Sequence, residues 1–252
     1  MPISKSSFSN QKHYVTLSVE QYLDGVIKGI LINGDEPEGR ECVGFLDFIR
    51  QMEQIFEEQG VPVAAVNKRV LAVENPAEAA AERSLGRRNG RLATFVIQVQ
   101  YRQNASWQGR IVHKETKEKY VFRSFRQLMN QICSVLEHKP PAAAVTSESA
   151  YMELLVQDLT RCLADQSHSG NYLEIQNVYQ SSLFCRYRYN GNSTLFGIRL
   201  KFHANASWQG MLYWKKKHRE ITFRSFLELI LLISQMAGND ITDEDPAAPV
   251  LV

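Results

Sequence analysis

Cysteine is scarce and scattered. The four cysteines of this 252-residue chain (Cys42, Cys133, Cys162 and Cys185) stand far apart and form no Cys-x-x-Cys pair. That spacing argues against a zinc site, and reduced, buried thiols fit a cytoplasmic protein. Long apolar runs are missing too. Nothing approaches the ~20 residues of a spanning helix, and Met1–His13 has no signal-peptide core, so no membrane association is expected. The vocabulary of catalysis is equally sparse. Gly86-Arg-Arg-Asn-Gly90 has glycines but neither the spacing nor the Lys of a phosphate loop. His113, His203 and His218 fall on or beside expected hairpins, with no carboxylate at a repeated position. No enzyme activity, cofactor or metal is expected.

Repetition is what the chain does have. Asn104-Ala-Ser-Trp-Gln-Gly109 recurs as Asn205-Ala-Ser-Trp-Gln-Gly210, and each copy leads to Phe-Arg-Ser-Phe, at Phe122–Phe125 and Phe223–Phe226. An internal duplication fixes the unit of folding. A degenerate third copy reads in register when Val15 is set against Phe95 and Phe196. Gly29 then falls on Gly109 and Gly210. After a three-residue insertion, Phe45-Leu-Asp-Phe48 falls on the two Phe-Arg-Ser-Phe segments.

Each copy reads as three strands and a helix, so the expected class is α+β: three β-β-β-α repeats, each a small antiparallel sheet backed by one helix. First strands are expected at Tyr14–Gln21, Thr94–Arg102 and Leu195–His203, where β-branched and aromatic residues concentrate. The apolar period then lengthens from about 2 to about 3.6 residues, as in Phe125, Leu128, Met129, Ile132, Cys133 and Leu136. The third helix, beginning at Phe226, is apolar almost all round and should be the most buried. Ser124 precedes Gln127 by three residues and Ser225 precedes Glu228 likewise, which is capping-box spacing. Asp47 is expected to cap the first helix.

The expected units are residues 12–62 (degenerate and acidic), 88–139 (basic) and 150–240, the third repeat with an added helix at Ala150–Gln166 and added β structure at Tyr172–Tyr189. Residues 241–252 should form a frayed tail. Linkers are expected at Glu74–Gly90 and Lys139–Ser149.

Charge separates the copies. Residues 14–59 carry ten acidic and three basic side chains, residues 94–138 three and seven, and residues 194–238 two and seven. Either the acidic unit docks on a basic one, within the chain or between protomers, or the basic units face a polyanion. The structural skeleton of the motif is expected in Gly29, Gly109, Gly210, Trp107, Trp208, Asp47, Ser124, Ser225, Phe122 and Phe223. The parity of Trp107 and Trp208 points them at the helix layer, each N–H needing one partner such as a neighbouring carbonyl.

Two resemblances rest on these residues. Asn104-x-Ser106-x-x-Gly109, with Arg83-Ser-Leu-Gly-Arg87 upstream, resembles the paired motifs of PilZ domains, which implies cyclic dinucleotide sensing. The third repeat has no such upstream arginine pair, and one strand separates the motifs where that family's barrel places a hairpin. The Trp-Gln-Gly strand followed by Phe223–Leu229 resembles short uncharacterised bacterial domains, mainly of Gram-positive lineages. That likeness implies a bacterial cytoplasmic protein and no particular chemistry.

The leading expectation is a non-enzymatic interaction or scaffolding protein built from duplicated modules, with self-association or a protein partner. The alternative is binding of single-stranded nucleic acid or RNA by the basic copies. Its binding residues would be Arg110, Arg123, Lys215, Lys217, Arg224 and Trp214, within the wider basic sets Arg102–Arg123 and Arg199–Arg224. Interleaved Tyr101, Trp107, Tyr120, Phe202, Tyr213 and Trp214 would stack bases.

Overall fold

The computed structural model describes residues 14–60, 62, 89–139, 147–163, 171–202 and 207–239. Most of both expected linkers and the tail after Asn239 lie outside them. The described chain is α+β, with two antiparallel sheets and four helices.

Strands β1 (Tyr14–Leu23), β2 (Val26–Asn33) and β3 (Arg40–Val43) lead into helix α1 (Gly44–Gln59). Strands β4 (Ala93–Gln103), β5 (Ser106–His113) and β6 (Lys119–Phe122) lead into α2 (Phe125–Leu136). These six strands form one sheet in the order β3-β2-β1-β4-β5-β6, so the first two stretches share a sheet where separate small sheets were expected. The join is the antiparallel pairing of β1 with β4, centred on Thr16 opposite Val96. Each half is a three-stranded meander that would expose a long edge alone, and pairing the two edges removes that liability.

Helix α3 (Glu148–Leu163) and the hairpin of β7 (Tyr172–Tyr179) and β8 (Ser182–Tyr189) come next. They precede β9 (Asn192–Phe202), β10 (Gln209–Trp214), β11 (Arg219–Phe223) and α4 (Phe226–Asn239). The second sheet runs β11-β10-β9-β8-β7. Here β8 pairs with β9 in the way β1 pairs with β4, and β7 lies where β2 lies in the larger sheet. The place corresponding to β3 holds no strand among the described residues.

Helices α1 and α2 pack on the first sheet and α3 and α4 on the second, with α1 against α3 and α2 against α4. The helices are therefore the middle layer, and buried side chains from both sheets form one continuous core. Aromatic rings knit it together. Trp107 meets Phe48, Phe56 and Phe125 edge-on, and Phe125 stacks on Phe226. Such pairs add ~0.5–1.5 kcal/mol each beyond their burial. As expected, α4 is buried around nearly its whole circumference, because it touches α2, α3 and both sheets.

The start of α1 departs from expectation. Its N-cap is Val43, with no side-chain cap, and Asp47 lies within the first turn. The Asp47 carboxylate instead accepts the Val43 N–H at 3.0 Å. Gln127 does the same for Arg123 (2.7 Å) and Glu228 for Arg224 (2.6 Å). Sheet register explains the difference: Cys42 lies opposite Gly29, as Phe122 lies opposite Gly109 and Phe223 opposite Gly210. Cys42 and Phe45 therefore hold the places of Phe122 and Phe125. No three-residue insertion exists, and Phe45-x-x-Phe48 is a coincidental match.

Candidate interaction surface

Each residue of Asn104-Ala-Ser-Trp-Gln-Gly109 has a local task. Asn104 and Ala105 both take positive φ, at 53°, the geometry a two-residue hairpin turn demands. Gln108 clamps that turn, its Nε2 donating to the Gln103 carbonyl (2.9 Å) while its Oε1 accepts the Gln103 N–H (3.0 Å). The Ser106 hydroxyl accepts the Phe125 N–H at 3.0 Å, and Ser124 accepts that of Gln127 at 3.2 Å. Two serines thus satisfy two of the four orphan N–H groups of α2. In the other copy Ser207 serves Phe226 (2.9 Å) and Ser225 serves Glu228 (3.0 Å). The Ser225 hydroxyl also donates to the Ala105 carbonyl, tying the two copies together.

The glycines answer to a bulge. Pairing skips one residue at Glu20, Gln100 and Lys201, which stand at corresponding positions of β1, β4 and β9. The bulge drives a neighbouring carbonyl toward the facing strand. A Cβ on Gly29, Gly109 or Gly210 would lie 2.2, 1.9 or 2.1 Å from the carbonyl oxygen of Ser18, Gln98 or Arg199. No side chain fits there.

Trp107 and Trp208 are core residues, 0% and 2% exposed. Their partners are carboxylates where a carbonyl was expected. Trp107 Nε1 donates to Glu53 Oε1 (2.6 Å) and Trp208 Nε1 to Asp158 Oδ2 (2.8 Å). Arg102 pairs with Glu53, and Arg126 with Asp158 at 2.5 Å, its guanidinium lying over the Trp208 ring. Burial, only partly offset by these arginines, holds both carboxyls above their ordinary range. Sequence reasoning missed both acids. The one available signal was Asp158 bordering the apolar stripe of Met152, Leu155, Leu159 and Cys162. At Glu53–Arg102 the acidic first stretch meets the basic second one, within the chain.

A second, half-buried cluster ties β1 to α2 and α3. Tyr22 donates to Glu137 (2.7 Å), as does Arg161 (2.6 Å). All four thiols are buried and free, and burial pushes Cys133 up to about 11 and Cys185 up to about 12. Thiols so placed are inert rather than nucleophilic. No group of three or more His, Cys, Asp or Glu among the described residues could hold a metal ion. No helix among them is long and apolar enough to cross a membrane.

The residues expected to bind a polyanion do not converge. Arg110 is half-buried on β5 and Arg123 is exposed just after β6. Lys215 and Lys217 are exposed on the β10–β11 turn of the other sheet, while Arg224, at the far end of β11, is paired with Glu228. Trp214 packs half-buried against the core, as does Tyr120. Trp107 is fully enclosed and so is not available to stack a base.

Exposed apolar side chains gather elsewhere. On the edge strand β7, Tyr172, Val178 and Tyr179 are 43%, 46% and 65% exposed, and Phe184 of the adjacent β8 is 46% exposed. Glu174 is the one charged residue of β7.

No protein-family model matches this chain, and no curated protein or solved structure matches it.

Proposed function

We propose that the protein is a non-enzymatic interaction protein built from duplicated strand-strand-strand-helix modules, and that it associates with a second copy of itself through β7. The observation that carries this reading is the open edge of the second sheet. β7 is eight residues long, carries one charged residue, Glu174, and one bulge between Ile175 and Asn177, and no strand among the described residues pairs with its outer side. One charge and one bulge leave the exposed Tyr172, Val178 and Tyr179 on an edge still open to pairing.

The chain itself supplies the mode of association. Its first two modules join by antiparallel pairing of β1 and β4, and two β7 strands from separate copies would pair in the same sense about a two-fold axis. The duplicated motif supports a scaffolding role over a catalytic one, because its residues are occupied by turn, cap, core and close-approach duties.

Sedimentation equilibrium over a range of protein concentrations tests the reading. The expected result is a monomer–dimer equilibrium that Tyr179→Lys shifts toward monomer without lowering the melting temperature. A strictly monomeric wild-type chain would overturn it. A mobility-shift titration against single-stranded nucleic acid tests the competing reading, and is expected to show no shift at low salt.

A further inference from the structure

We infer that the five-stranded sheet carries a binding site for a small phosphate-bearing anion, at one end of β9. The site is visible by comparing the two basic halves of the molecule. In the first sheet, Lys114 N–H donates to the Thr94 carbonyl, and the Thr94 N–H donates to the Glu115 carboxylate at 3.0 Å. Glu115 also pairs with His113 Nε2 at 3.0 Å. The turn thus supplies its own anion to the strand end.

The same backbone recurs in the second sheet with the anion removed. Lys215 N–H donates to the Leu195 carbonyl at 3.1 Å, and Trp214 faces Phe196 as His113 faces Phe95. Lys216 stands where Glu115 stood, within the run Lys215-Lys216-Lys217-His218-Arg219. A cavity of about 480 Å³ opens there, lined by Arg186, Ser193, Thr194, Lys215, Lys216 and His218 among others. That volume is in the range of small-molecule sites.

One buried group marks the loss. The buried indole N–H of Trp214, at the place of His113, has no hydrogen-bond partner among the described residues. A buried polar group without a partner is costly, so each such group needs a reason. Arg186 is only loosely held, its guanidinium 3.6 Å from Glu174, and His218 Nδ1 contacts the Tyr213 hydroxyl.

A phosphate suits this lining better than a single carboxylate. Its several oxygens can accept from a guanidinium fork and two ammonium groups together. The lining lies on β8, β9 and the β10–β11 turn, not on β7, so anion binding and association through β7 are tested by different measurements.

Calorimetric titration of the full chain with pyrophosphate, and separately with ATP, tests the site at low ionic strength. Wild type is expected to bind both. Lys216→Glu restores the internal carboxylate of the first sheet and is expected to weaken binding at least tenfold while leaving the melting temperature unchanged or raised. Arg186→Gln should weaken binding as well, without dependence on that internal replacement. No heat from pyrophosphate with wild type would overturn the proposal. So would equal affinity in the two variants and wild type, or binding of ATP without pyrophosphate, which would put recognition on the base.

Discussion

Trp208 and Asp158 meet at 2.8 Å, indole N–H to carboxylate, across a gap of 50 residues. The indole belongs to the residue just before β10 and the acid to α3, so one hydrogen bond ties a helix to the entry of the second sheet. Arg126 of α2 shares the same oxygen, which brings the first sheet's helices into the contact. Glu53 and Trp107 repeat the arrangement between α1 and the first sheet.

Removing Asp158 should therefore be severe. Asp158→Ala leaves a half-buried guanidinium and a buried indole N–H without their acceptor and is expected to cost about 3 kcal/mol in urea unfolding. Glu53→Ala should cost less, because the Glu53 side chain is 19% exposed and that of Asp158 only 1%, and water can serve the partners left behind. The reverse order would show that the Asp158 contact is not the principal tie.

Both acids should also give stability a particular pH dependence. Their folded pKa values are raised, chiefly by burial, so the folded state holds these protons more tightly than the unfolded one. The contribution is fully present below the ordinary carboxylate value of about 4 and is lost as pH rises through the raised folded value. Urea melts at successive pH values should show this slope for wild type and a flatter one for Asp158→Asn. Identical slopes would contradict it.

The motif glycine and the cap serine separate by magnitude. Ser225→Ala should cost about 1 kcal/mol. Gly210→Ala should cost more, since its Cβ would sit 2.1 Å from the Arg199 carbonyl oxygen, a backbone group that moves only if the bulge rearranges. Thermal melts of both variants showing equal, small losses would refute these roles.

Thiol labelling gives an independent check on the core. All four cysteines are buried and their thiols shifted away from ionisation. None should react with a disulfide reagent in the native protein, and all four should react in urea. Rapid native labelling of Cys133 or Cys162 would show that α2 and α3 do not pack as described.

Local order was legible in the chain because it depends on near neighbours. The strand at Phe95, the helix at Phe125, the Ser124 and Ser225 caps and the inward parity of the two tryptophans follow from periodicity and capping chemistry. The error at Asp47 has the same origin. Matching Phe-x-x-Phe by wording placed the first helix three residues late, whereas the pairing of Cys42 with Gly29 sets its start.

Short-range pattern determined the individual strands and helices, and tertiary structure alone decided how they combine. Nothing in β1 or β4 names the other as partner, because backbone hydrogen bonds carry no sequence label and any uncovered edge can pair. Glu53 and Asp158 look like ordinary helix acids until a distant indole comes within reach. Lys216 reads as one more surface lysine until its place is seen to be the one that Glu115 fills in the other sheet. These are relationships between residues far apart in the chain, and only the folded backbone brings them to the same point in space.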